Sequence, residues 1–324
     1  MLPVKRSNIR FVLALLPLIG FVAIYAACSG TPEKPEDQPA NTASPALPTA
    51  LLSTDTSTPV PALNLSPATT ITSTPTSNLT STPDTRLKPS YWREWPVSPD
   101  LSPTAQEILL NAVNNPNLDL HTFSKVGDCQ MTPATFLGGF ANGVYAIPDG
   151  FDETVSWFSD SMASESVTAA NGLGISSVLD PMFGLAAGNK QCQANETPLD
   201  CELRTRRPTV VLIAMGTNWA PHGEVSFEKY LREVVDRILE TGALPILATK
   251  ADNIEGDWKL DLAVARVVYD YDLPLVNVWR YVQDLPNHGL EAPKNEYLTG
   301  DGWMRSNYAW LNTLEKVRQV LVNQ

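Results

Sequence analysis

The chain has 324 residues, enough for one or two domains, and carries a formal net charge of −12. A surface this acidic repels a phosphate backbone, which argues against a nucleic-acid partner. It says nothing about a substrate, because acidity serves solubility equally well.

The N-terminus has the build of an export signal. Lys5, Arg6 and Arg10 precede an apolar run from Phe11 to Ala27, and the small residues Ala26 and Ala27 lead into Cys28. A basic start, an apolar middle and small residues at the cut mark a secretory signal. The cysteine directly after them resembles a bacterial lipoprotein box, with Tyr25 standing where leucine is usual. The apolar run also approaches spanning length, so an uncleaved anchor is the alternative. Both readings place the rest of the chain outside the cytoplasm, at a bacterial cell envelope, and the first attaches it to the membrane by lipid at Cys28.

Residues 29–87 are dominated by Pro, Thr, Ser and Ala, with almost no large apolar side chains. Such a segment cannot bury enough surface to offset its chain entropy, and it is expected to be an extended tether. Asn64, Asn78 and Asn195 each begin an N-glycosylation pattern, which carries no weight in a bacterial protein. The folded part is expected over 88–324, behind the signal and lipobox (1–28) and the tether (29–87).

Tyr91, Trp92 and Trp95 are expected to pack where this domain starts. Ser102 and Pro103 predict a helix start, with an N-cap side chain and a proline at the first helical position. Leu118–Val126 reads as a strand running into Gly127-Asp128-Cys129. Gly138–Asn195 is rich in Gly, Ala, Ser and Asn and is expected to form helices, long loops and a substrate-facing rim. Pro208–Met215 is a near-continuous apolar run, as in a parallel strand buried on both faces, and it leads into Gly216-Thr217-Asn218. Phe227–Thr241 has helical spacing and is stopped by Gly242. A strand over Leu244–Thr249, a helix over Leu260–Tyr271, a strand over Leu273–Val278 and a closing helix over Asn307–Val322 follow. This alternation predicts an α/β fold with a parallel sheet covered on both faces, in which ligands bind beyond the carboxyl ends of the strands.

Cysteine usage fits an exported chain. With Cys28 consumed by lipid, Cys192 and Cys201 flank a short polar loop and are the natural disulfide pair, which leaves Cys129 outside that pair. No Cys/His spacing suits zinc, no Gly-rich loop cradles phosphate, and no basic–aromatic stripe is present, so neither a metal nor another cofactor is expected.

Gly127-Asp128-Cys129 taken alone is also an ordinary strand exit with a buried cysteine, and Gly216-Thr217-Asn218 an ordinary turn. Their order and spacing, together with Asp301-Gly302-Trp303-Met304 before the closing helix, resemble the sequence blocks of the SGNH (GDSL-type) hydrolases. Asn171-Gly172-Leu173-Gly174 lies where that family has a further block. The resemblance covers roughly Lys88 to the C-terminus and implies a three-layer, flavodoxin-like α/β/α sandwich with carboxylic-ester hydrolase chemistry on an acylated carbohydrate or lipid. It places Cys129 at the nucleophile, Asn218 and the Gly172 amide at the oxyanion, and Asp301 as the residue that orients a histidine three positions on. Two departures bear on activity. The nucleophile position holds cysteine instead of serine, and the histidine position holds Met304, whose thioether accepts no proton at neutral pH. His222 and His288 lie close in sequence to these blocks, and His121 lies early in the first strand. The resemblance thus leaves two functions open: an ester hydrolase acting through Cys129, or an inactive relative that binds a small-molecule or glycan ester ligand. A structural envelope protein with a closed or filled pocket is a third.

Overall fold

The structure, a computed structural model, describes residues 84–219 and 222–323. The export signal and all but the last four residues of the tether lie outside the described residues.

Four parallel strands form one sheet in the order β1 (Asp119–Gly127), β2 (Pro208–Ala214), β3 (Leu244–Ala248), β4 (Leu275–Val276). Between them run α1 (Pro103–Val113) before β1, then α2 (Gly138–Ala141), α3 (Asp152–Ala163) and α4 (Pro198–Arg206) before β2. Next come α5 (Glu224–Thr241) before β3, α6 (Lys259–Tyr271) before β4, and finally α7 (Val278–Val282) and α8 (Gly300–Val322). Consecutive strand residues point to opposite faces. The Phe123 ring lies 5.7 Å from that of Phe158 on α3, and the Ser124 hydroxyl donates to Glu202 on α4. The two helices therefore cover opposite faces. Helix α8 packs on α1 and α3, and α5 packs on α4 and α6, which completes the three-layer α/β/α sandwich. β2 and β3 are buried on both faces, as their unbroken apolar runs require.

The outer edge of β1 shows how a fifth strand is reduced to a stub. Its edge-facing amides recur every second residue. Phe123 N donates to Ser161 Oγ (3.0 Å), Lys125 N to Ser166 Oγ (3.3 Å) and Gly127 N to Thr168 O (2.9 Å). Two serine hydroxyls thus do the work of a neighbouring strand, and only Gly127 and Ala169 form a parallel bridge. An edge satisfied in this way offers no free ladder to another chain. Buried Glu202 fixes the stub by accepting from Ser124 Oγ and Val167 N.

Several boundaries differ from the sequence reading. β4 is two residues long instead of spanning Leu273–Val278, because Asn277 ends it. That buried side chain caps α7 by accepting from Arg280 N, and its amide donates to Trp92 O and Trp95 O. α8 begins at Gly300, seven residues before the expected Asn307, capped by Thr299, which accepts from Gly302 N at 3.2 Å. Asp301–Met304 is consequently helix and not the loop before it. The polar stretch before Cys201 holds a helix start, with Thr197 as N-cap and Pro198 at its first turn. Of the three aromatics at the start of the domain, Trp92 is buried, Trp95 is half-buried and Tyr91 is exposed.

Candidate functional site

Three of the sequence-predicted residues follow neighbouring strands at one end of the sheet. Cys129 stands two residues past Gly127, where β1 ends. Gly172 follows the stub at 168–170, and Asn218 comes four residues after β2. The turn after β1 is tight enough to demand glycine: a Cβ at Gly127 would lie 2.1 Å from Met131 Cγ and 2.8 Å from Ala214 O. Asp128 then caps a one-turn 3₁₀ helix by accepting from Gln130 N at 2.9 Å. Cys129 is a buried thiol, 5 % exposed, whose carbonyl accepts from the hydroxyls of Thr132 and Thr135. Asn218 and Gly172 are exposed. The loops carrying them approach each other, since a Cβ on Gly174 would lie 3.9 Å from the Trp219 ring.

The third block reaches the same end of the sheet. Gln130 Nε2 donates to Thr217 Oγ1 (3.1 Å) and to Glu296 O (3.3 Å), tying the turn after β1 both to the loop after β2 and to the segment leading into α8. Asn307 on α8 closes the link by accepting from Leu137 N and donating to Thr135 O, both at 3.0 Å. A cavity of about 40 Å³ lies where these pieces meet, lined by Asp128, Gln130, Thr217, Lys250, Trp303 and Ser306 among others. That is room for a few waters and far less than the ~300–1,000 Å³ of a small-molecule pocket. The blocks converge, yet Cys129, Asn218, Asp301 and Met304 are not among the lining residues. Asp301 is exposed in the first turn of α8, and Met304 is half-buried one turn in.

The sequence reading missed the charged network behind this cavity. The loop after β3 supplies Lys250, whose Nζ donates to Asp252 Oδ1 (2.7 Å) and Glu255 Oε2 (2.5 Å). Asp252 Oδ2 in turn accepts from Thr217 Oγ1 at 2.8 Å. Burial acts to lower the Lys250 pKa, but the surrounding carboxylates Asp252 and Asp261 outweigh it and hold the ammonium above its ordinary value. Burial pushes the Asp261 carboxyl well above the ordinary carboxylate range. Its Oδ1 accepts from Lys250 N, and its Oδ2 has no partner. Asp128 is raised to about 6, first by burial and then by the charge of Asp252. The available signal was positional: Lys250-Ala251-Asp252 follows a strand just as the other two motifs do.

The described histidines are dispersed. His121, exposed near the amino end of β1, stacks on Trp157 with centroids 3.9 Å apart. His288 is exposed, with Nδ1 3.0 Å from Gln283 O. His222 is exposed in the loop before α5. Cys192 and Cys201 are disulfide-bonded, and the neighbouring Glu196 is engaged by Arg204. Those three residues are the sole cluster of metal-ligand type among the described residues, and the disulfide removes both thiolates from metal binding. A larger hollow of about 260 Å³, walled by Leu87, Trp95, Val268 and Leu273, contains none of the motif residues.

No family model matches the chain, and no curated protein matches it. Solved structures similar to it include a GDSL-like lipase from Bacteroides thetaiotaomicron, 14 % identical over 65 % of this chain and 98 % of the lipase, with a TM-score of 0.37. Another is TesA, 13 % identical over 60 % of this chain and 99 % of TesA, with a TM-score of 0.38. The roles of individual residues rest on the geometry above and not on these likenesses.

Proposed function

We propose that this protein is an exported, lipid-anchored SGNH-type hydrolase scaffold that binds an acylated carbohydrate or lipid at the bacterial envelope without turning it over. Met304 carries this reading. It sits three residues after Asp301 on the first turns of α8, flanked by the cavity-lining Trp303 and, two residues on, Ser306. Where the resemblance calls for a proton acceptor, the chain presents a thioether, which has none to offer. The backbone frame around it is kept, as the convergence of the Gly-Asp-Cys turn, the Gly-Thr-Asn loop and the start of α8 on one cavity indicates. A retained frame without a base favours recognition over hydrolysis. The ligand belongs on the open side, over Cys129, Gly172 and Asn218, because the cavity itself admits only water.

Initial rates on an aryl acetate test this. Wild type is expected to be inactive or weak, and Met304→His combined with Cys129→Ser is expected to gain about 10²-fold or more, the usual contribution of a positioned general base. Robust wild-type turnover abolished by Cys129→Ala would overturn the binding reading in favour of a thiol esterase.

A further inference from the structure

At the carboxyl-end side of the sheet, beside the cavity, three tryptophans from separate segments form one cluster. Trp92 precedes α1, Trp258 caps α6 and Trp279 lies in α7. Their ring centroids are 5.2, 5.9 and 6.1 Å apart, and the rings are mutually tilted. The Arg93 guanidinium sits over all three, with Cζ 4.5 Å from the Trp92 centroid and 5.3 Å from each of the others. The cluster adjoins the cavity through the backbone: Trp279 N donates to Thr249 Oγ1 at 3.0 Å, and Thr249 and Val278 are cavity-lining residues.

Arg93 is exposed and, among the described residues, makes no ion pair or hydrogen bond, in contrast to most of the other described arginines, which hold carboxylates within 4.0 Å. Its neighbour in this sector, Arg280, bonds only the carbonyls of Glu94 and Trp95. In a chain of net charge −12, two arginines left without carboxylates beside the same cavity make a local positive site. Aromatic faces hold a guanidinium by cation–π attraction and limit its rotamers while leaving its N–H donors available. A planar fork fixed in this way matches the two oxygens of a carboxylate or phosphate.

We propose that Arg93, seated on Trp92, Trp258 and Trp279 and assisted by Arg280, is an anion subsite for a carboxylate or phosphate group on the ligand held at the carboxyl ends of the strands. The inference rests on the functional reading only in placing the ligand there. It is tested by direct binding, so its outcome is separate from the esterase result.

The experiment is calorimetric titration of the purified protein with inorganic phosphate and with glucuronate at low, fixed ionic strength, with glucose as the neutral control. Millimolar binding of at least one anion and none of glucose is expected, and the stronger arm identifies the group as phosphate or carboxylate. Arg93→Gln should weaken that binding about tenfold, Arg280→Gln less, and Arg93→Lys should restore part of the loss because it keeps the charge but not the fork. Wild type that binds neither anion, or Arg93→Gln that binds as wild type, overturns the proposal. Circular dichroism of each variant confirms that it is folded, and Arg93→Lys provides a second variant at the same position.

Discussion

Asp128→Asn isolates the cost of keeping a carboxylate at the head of the Gly-Asp-Cys turn. Asparagine keeps the oxygen that accepts from Gln130 N and is itself a good N-cap, so the turn is retained. What changes is the charge. Burial, followed by the charge of Asp252, raises the Asp128 pKa from 3.8 to about 6. The folded protein therefore holds this proton over a pH range in which the unfolded chain has released it. Stability falls as pH rises through that window and is level above it. The full penalty is about 3 kcal/mol once both states are ionised. Near pH 5, where the folded state is still mostly protonated, only about half of it has developed. Asp128→Asn should therefore stabilise the protein more at about pH 8 than at about pH 5, by roughly 1 kcal/mol. Urea unfolding followed by tryptophan fluorescence at the two pH values measures it, and the comparison with wild type cancels every other titrating group. A gain that is equal at both values, or larger at the lower one, refutes the argument that burial sets this pKa.

Three other substitutions probe how the site is held. Asn307→Leu leaves the amide of Leu137 and the carbonyl of Thr135 without partners and should cost about 3 kcal/mol in denaturant unfolding, with little change if the turn re-pairs with water. Gly302→Ala should destabilise despite the roughly 1 kcal/mol by which alanine favours a helix interior, because its Cβ would lie 2.5 Å from Gly289 O; an unchanged or raised melting temperature would contradict this. Replacing Cys192 and Cys201 together by serine opens a loop with a sequence separation of 9 and should cost about 3 kcal/mol, whereas wild type under reducing conditions should fall to the same level.

The sequence by itself determined most of the scaffold. The apolar run at Pro208–Met215 suits a strand buried on both faces, Leu244–Thr249 reads as the next strand, and the spacing over Phe227–Thr241 with Gly242 behind it marks a helix and its stop. Such signals are local, because side-chain period and backbone preference act within one element. Cysteine count and context also selected the Cys192–Cys201 pair. Where polar residues act at a distance, the pattern failed. Asn277 cut the expected last strand to two residues by bonding backbone some 180 positions earlier, at Trp92 and Trp95. Gly300 and Gly302 concealed the start of α8, and at Gly302 the close packing against Gly289 O is a tertiary fact that overrides its poor helix propensity.

The site divides along the same line. Gly127-Asp128-Cys129, Gly216-Thr217-Asn218 and Asp301–Met304 were legible as short motifs at strand or helix ends. Only the folded chain decided that Gln130, Thr217, Lys250 and Trp303 wall the shared cavity, and that Asp252 stands behind it. Hydrogen bonds such as Gln130 to Glu296 join residues far apart in sequence, and burial, which raises the pKa of Asp128 and Asp261, exists only after the layers have packed.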